Sequence, residues 1–242
     1  NCSFSDTENL YTVAFQNIVS KYGKNYTFEL KLKLMGSQTH ETANTIVKEL
    51  DLPMTPEEFI IESKKQFETL FNCNNIFFIG AKRLIEHLHN KNIPIGLATS
   101  SSEESYRLKT DKHHQELFSL FPYKTFGSSD PNVKHGKPHP DIFLVAASKF
   151  PDKPKPEQCL VLEDAINGVK AARAAGMQVV MVPDERIDKS LTAEATMVLK
   201  SLEEFKPEVF EYNEQSNTLI SSTSKHCTIP CAIIILSGGH TI

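Results

Sequence analysis

No stretch of this 242-residue chain is apolar for long enough to cross a membrane: no purely apolar run is longer than Cys231 to Leu236, against the about 20 residues a membrane helix needs. Neither sign of charge dominates. Twenty-six Lys and Arg stand against 30 Asp and Glu, a formal net charge of −4, and no basic stripe accompanies them, which argues against nucleic acid or an anionic membrane as the principal partner. A disulfide framework is missing too. The cysteines are Cys2, Cys73, Cys159, Cys227 and Cys231, an odd number without framework spacing, so a reducing, cytoplasmic compartment is the expectation. No signal-peptide pattern is visible at the N-terminus.

What is present is enough apolar material, 40% of the residues, for a sizeable core. The pattern starts helical. Ser5 and Glu8 form a capping box, Leu10, Val13, Ala14 and Ile18 follow at helical spacing, and Gly23 supplies a stop. Thr39 to Leu50 and Glu57 to Phe71 repeat the pattern, the latter opened by Thr55 and Pro56. From residue 79 onward helix and strand alternate: helix 80–91, strand 93–99, helix 103–120, strand 123–126, helix 140–150, strand 158–163, helix 166–175 closed by Gly176, strand 178–182. Such alternation predicts a doubly wound parallel sheet whose ligand site lies beyond the carboxyl ends of its strands.

Three segments end there in chemistry. IPIGLATS closes on Thr99 and Ser100, HGKPHPDIF carries Lys137, and QCLVLED closes on Glu163 and Asp164. A threonine hydroxyl with the following N–H at a helix start can hold phosphate oxygens. A lysine fixed between glycine and proline can meet the anion as a point charge. Adjacent carboxylates offer Mg²⁺ the hard ligands it takes alongside substrate phosphate. Each has a bland alternative: Thr99 and Ser100 as ordinary N-caps, Lys137 as a solvated loop residue, Asp164 as a cap for the helix through Asn167 and Gly168 with Glu163 facing solvent. Their co-occurrence at successive strand ends favours function. His135 and His139 flank Lys137 and read as loop residues, since Mg²⁺ prefers oxygen. His113 and His114 read as solvated. His226, Cys227, Cys231 and His240 match no standard zinc spacing.

Together with SDTENLYTVAFQ (5–16), LMG (34–36), LPMTPEE (52–58), DPNVKHGKPHPDIFL (130–144) and EDAINGVKAARAAGMQVVMVPD (163–184), these motifs resemble the haloacid dehalogenase-like phosphohydrolases, in the β-phosphoglucomutase-like subgroup, over about residues 5 to 210. The resemblance implies a Rossmann-like core at 80–210, an inserted helical cap at 5–79 and a remnant of the first core strand at 1–4. It implies a Mg²⁺-dependent phosphomonoesterase acting through an aspartyl-phosphate on a small phosphorylated metabolite, a nucleotide-like monophosphate such as pseudouridine 5′-phosphate, in a monomer. Asp164 and Glu163 would hold Mg²⁺, Thr99, Ser100 and Lys137 the phosphate, and Met35, Gly36 and Thr39 of the cap would lie at the specificity loop. A sugar-phosphate mutase and a non-catalytic phosphate-ester binder are the alternatives.

The departure from the family lies at its first motif, a strand ending in Asp-x-Asp-Gly. Asp6 matches a later aspartate of that region, which puts Asn1 at the second catalytic aspartate and the nucleophile ahead of Asn1; a truncated sequence is the simplest reading. A core without that strand is expected to expose two strand edges. Residues 211–242, rich in Ser, Thr and Asn before TIPCAIIILSGGHTI, read as a flexible tail by default. Within it, Ala232 to Leu236 is the one segment able to enter the slot as a surrogate strand, carrying no nucleophile.

Overall fold

The computed structural model describes residues 5–73, 80–111, 114–206, 210–213, 218–221 and 232–237. Asn1, Cys2, His113, His226, Cys227, Cys231 and His240 lie outside them. Four helices come first: α1 (Ser5–Ser20), α2 (Phe28–Leu34), α3 (Thr39–Glu49) and α4 (Pro56–Cys73). Gly23, at φ +69°, follows α1 where a side chain would be strained. Thr55 opens α4 reciprocally: its Oγ1 accepts from Glu58 N at 3.2 Å, and Glu58 Oε2 accepts from Thr55 N at 2.7 Å. The helices read from the sequence pass over 28–34, where FELKLKL alternates as a strand would. Its helix is set by the Thr27 cap and by Leu30 and Leu34, buried in the cap interior. There Phe15 meets Tyr26 and Phe59 with ring centroids 5.4 and 5.5 Å apart.

The core follows as α5 (Ala81–Asn90), β1 (Ile95–Thr99), α6 (Glu103–Thr110), α7 (Gln115–Ser119), β2 (Tyr123–Phe126), α8 (Asp141–Ser148), β3 (Cys159–Glu163), α9 (Ile166–Ala174), β4 (Gln178–Met181) and the short β5 (Met197–Val198). The expected helix 103–120 is two helices, since Lys109 to Glu116 supplies no apolar side chain to continue a buried stripe. Buried residues alternate along the strands. Leu97, Leu160, Leu162 and Val180 join Leu84, Leu88 and Phe121 in one layer, while Ala98, Val161, Val179 and Met181 join Phe143, Ala146 and Val169 in the other. Burial on both faces is what a parallel sheet sandwiched between helices requires.

Past Phe205 the structure adds β6 (Phe210–Asn213), β7 (Thr218–Ser221) and β8 (Ala232–Ser237). β6 and β7 form an antiparallel pair, whereas β8 enters the main sheet, whose order is β2-β1-β8-β3-β4-β5. The expectation of a flexible terminus is corrected at these residues. β8 runs parallel to both neighbours, Ile233 in register with Ile95 and Leu160, Ile234 with Gly96 and Val161, Ile235 with Leu97 and Leu162. The physical reason is backbone satisfaction: β1 and β3 present facing edges whose N–H and C=O groups need partners, and AIIIL is the β-prone segment that supplies them.

Candidate active site

The three chemical segments meet at the carboxyl edge of the sheet, around the turn at Gly36. Ser100 Oγ, just past β1, donates to Gly36 O at 2.9 Å. A Cβ on Gly36, which sits at φ +89°, would lie 3.5 Å from Lys137 Cδ and 3.2 Å from Asn167 Cβ. Asn167 Nδ2 in turn donates to Met35 O at 2.9 Å. The Met35–Gly36 turn after α2 therefore touches both the Lys137 loop and the start of α9. Thr39 approaches the core at another point, its N–H donating to Ser128 Oγ at 3.3 Å, while Gln38 Nε2 donates to Gly127 O at 2.8 Å.

Lys137 is no solvated loop residue. Its ammonium donates to Glu163 Oε1 at 2.9 Å, and both side chains are fully shielded from solvent. Glu163 Oε2 accepts from the Asp164 N–H at 2.7 Å, so the carboxylate is neutralised on one side and held by backbone on the other. Asp164 is itself buried. It does not serve as the cap of α9: the N-cap is Ala165, with no side-chain cap hydrogen bond. Nor are Thr99 and Ser100 the N-caps of α6. That place belongs to Ser102, whose hydroxyl accepts from Ser105 N at 3.2 Å, so the helix start lies beyond Ser100. Thr99 Oγ1 accepts from Ser101 N at 3.2 Å, which orients the hydroxyl within the turn.

Several residues at the site are not singled out by sequence reasoning. Gly168 lets α9 pass directly over Glu163, and Lys109, buried on α6, places its ammonium 3.3 Å from Ser101 Oγ and 4.7 Å from the Tyr11 ring centroid. A cavity of about 290 Å³ includes Tyr11 and Ser101 in its lining, with Phe15, Phe59 and Phe67 of the first helices and with Ser102 and Ser128; Lys137, Glu163 and Asp164 are not among its lining residues. The Arg186 guanidinium lies 4.5 Å from the Phe28 ring centroid and donates through Nε to Asp184 Oδ1 at 2.8 Å. That pairing holds the Asp184 carboxyl below the usual carboxylate range, with Lys31 of the cap adding to the effect against the cost of burial. No local pattern marks Asp184 or Lys109; only their position in the fold does.

A doubly wound parallel sheet preceded by four helices, with polar groups gathered at the carboxyl ends of its strands, defines the class. The family model for haloacid dehalogenase-like hydrolases matches residues 9–176, and the chain belongs to that family. It is 52% identical over 205 residues, 85% of this chain and 88% of the other, to the Drosophila melanogaster protein named "Probable pseudouridine-5′-phosphatase". It is 45% identical over 206 residues, 84% of this chain and 68% of the other, to the mitochondrial (DL)-glycerol-3-phosphatase 1 of Arabidopsis thaliana. In fold it is similar to a β-phosphoglucomutase from Clostridium difficile, with a TM-score of 0.68 at 22% identity, over 83% of this chain and 87% of that one. No helix among the described residues is long and apolar enough to cross a membrane.

Proposed function

We propose that the site binds the phosphate of a small phosphomonoester, with Lys137, Thr99 and Ser100 meeting the phosphate oxygens and Met35, Gly36 and Thr39 facing the leaving group. The observation carrying this reading is the convergence at the carboxyl edge of the sheet: Ser100 bonds to Gly36, Gly36 lies against Lys137, and the shielded Lys137 ammonium pairs with Glu163 next to Asp164, and charged groups buried together at the strand ends of a doubly wound sheet favour a ligand site there. Mg²⁺ fits the hard-oxygen donors here. Asp164 is its chief protein ligand, because both oxygens of Glu163 are already engaged, and a carboxylate plus phosphate oxygens suits this ion. When bound, it supplies positive charge against the phosphate.

The reaction class is phosphomonoester hydrolysis. Among the described residues, the strand between β1 and β3 is β8, and no Asp or Glu occurs from 226 to 242. A polypeptide of these 242 residues with β8 in that place therefore binds the ester without forming an aspartyl-phosphate, which needs a carboxylate nucleophile there. The substrate class is taken from the two relatives named above: pseudouridine 5′-phosphate first, glycerol 3-phosphate second. Calorimetric titration of the 242-residue polypeptide with each ester is expected to show Mg²⁺-strengthened binding without turnover above background. Adding a strand ending in Asp-x-Asp-Gly before Ser3 is expected to give Mg²⁺-dependent hydrolysis that Asp164→Asn abolishes. Robust, EDTA-sensitive turnover by the 242 residues alone would overturn the non-catalytic reading. An extended chain that folds yet hydrolyses neither ester would overturn the phosphatase reading.

A further inference from the structure

The loop that carries Lys137 into the interior also builds a second constellation on its outer side. His135, His139 and Asp141 each present one ligand atom, all within 4.8 Å of one another. His139 Nδ1 lies 2.7 Å from Asp141 Oδ1 and His135 Nδ1 lies 3.2 Å from Asp141 Oδ2, with the two rings 4.4 Å apart between centroids. Two imidazole nitrogens thus converge on one carboxylate, one at each oxygen. We propose that these three residues form a binding site for a transition-metal dication of the Zn²⁺ class, distinct from the Mg²⁺ position inferred at Asp164.

Three features make this more than two exposed histidines near an acid. Asp141 is held from behind: Oδ2 accepts from Lys134 N at 3.0 Å and from His135 N at 2.9 Å, the kind of outer support that fixes a metal-ligating carboxylate. Pro138 and Pro140 bracket His139, so the backbone that carries the ligand has little freedom to lose on binding. Both imidazoles are about half or more exposed, with side-chain exposures of 66% and 48%, and can close the small gap to ligand distances of about 2.0–2.2 Å without disturbing packed residues. Two imidazoles and one carboxylate suit Zn²⁺, Ni²⁺ or Cu²⁺ and not Mg²⁺. Water fills the remaining positions, as in open zinc sites. Occupancy would tie residues 135 and 139 together on either side of Lys137, fixing the loop that delivers the ammonium to Glu163.

The test uses the 242-residue polypeptide with Cys2, Cys73, Cys227 and Cys231 replaced by serine, to remove competing thiolates. Equilibrium dialysis against Zn²⁺ in millimolar Mg²⁺ is expected to retain one Zn²⁺ per chain, with retention at least tenfold weaker in His135→Ala and in His139→Ala. In the parent polypeptide, Zn²⁺ is expected to protect His135 and His139, but not His87 or His89, from diethyl pyrocarbonate, a readout that does not depend on the variants folding. Absent Zn²⁺ retention, unchanged retention in the His135→Ala/His139→Ala double variant, or equal modification of all four histidines with and without Zn²⁺ would each overturn the site.

Discussion

Gly168 and Glu163 occupy positions that exclude any larger pairing: a Cβ built on Gly168 would stand 1.3 Å from Glu163 Oε1. The helix after β3 can lie over the carboxylate only because this position lacks a side chain. Gly168→Ala must therefore expel the Glu163 carboxylate from its pocket or lift α9 away from it. The first movement breaks the 2.9 Å contact with Lys137; the second opens the packing of α9 that shields the pair. Ordinary Gly→Ala changes within helices stabilise by roughly 1 kcal/mol. Here the expected result is the opposite sign, a loss of several kcal/mol with phosphate binding abolished, read from chemical denaturation and calorimetry. A stabilised, ligand-binding Gly168→Ala variant would show that the carboxylate has another place to go.

Lys137 and Glu163 can be separated into a stability effect and a binding effect. Lys137→Ala leaves Glu163 buried without its cation, a loss of about 3–5 kcal/mol. Lys137→Met with Glu163→Leu removes both charges and fills similar volume, and such replacements are often neutral in stability. The double variant is thus expected to unfold near the parent's denaturant midpoint while failing to bind either phosphate ester. If the double variant bound them as the parent does, the shielded ammonium would have no part in anion recognition.

Alternating helix and strand from residue 79 onward made the sheet legible, because burial on both faces leaves continuous apolar runs such as CLVLE at 159–163, all buried. The site was legible in its residue types and not in its hydrogen bonds. A sequence read alone leaves Lys137 facing water, Glu163 exposed and Asp164 capping a helix as good options. The structure removes those options by burying Lys137 and Glu163 together and giving the N-cap of α9 to Ala165. Gly168, Lys109 and Asp184 were not legible, since what distinguishes them is a neighbour that no local pattern reveals. β8 was legible only as an alternative to a flexible tail, for a related reason. The β-propensity of AIIIL is plain, but its placement depends on a vacancy between two distant strands, a property of the whole sheet.

Three carboxylates should make the fold acid-sensitive. The Arg186 pairing is the largest influence holding Asp184 low. Burial alone would raise Asp130 and Asp141, but hydrogen bonds outweigh it, from Lys149 and Asn132 to the first and from His135, Lys134 and His139 to the second. A carboxyl depressed in the folded state contributes stability above its unfolded pKa of about 3.9 and loses that contribution as pH falls through the folded value. Urea midpoints are therefore expected to be insensitive to these groups above about pH 5 and to drop steeply below about pH 4, with a shallower drop in Asp184→Asn. A midpoint that rises on acidification would contradict the sign.

The strand β8 carries the most direct consequence for folding. Ile234 is paired on both sides, to Gly96 and to Val161, so Ile234→Pro removes a ladder N–H in the middle of the sheet. The cost of a proline in a central strand or helix is at least about 3 kcal/mol, a large share of a total stability of roughly 5–15 kcal/mol. Ile220→Pro offers the control, because among the described residues β7 pairs with β6 alone, in a separate two-stranded sheet, and a two-stranded hairpin contributes little by itself. The expected outcome is a lost or strongly lowered cooperative transition for Ile234→Pro beside a near-parental one for Ile220→Pro. Hydrogen exchange should agree, with the amides of 233–235 protected close to the level of Leu97 and Val161. Rapid exchange at 233–235, together with an unchanged midpoint in Ile234→Pro, would mean that the core holds together with the edges of β1 and β3 unpaired at that position, and that the sheet does not depend on its C-terminal strand.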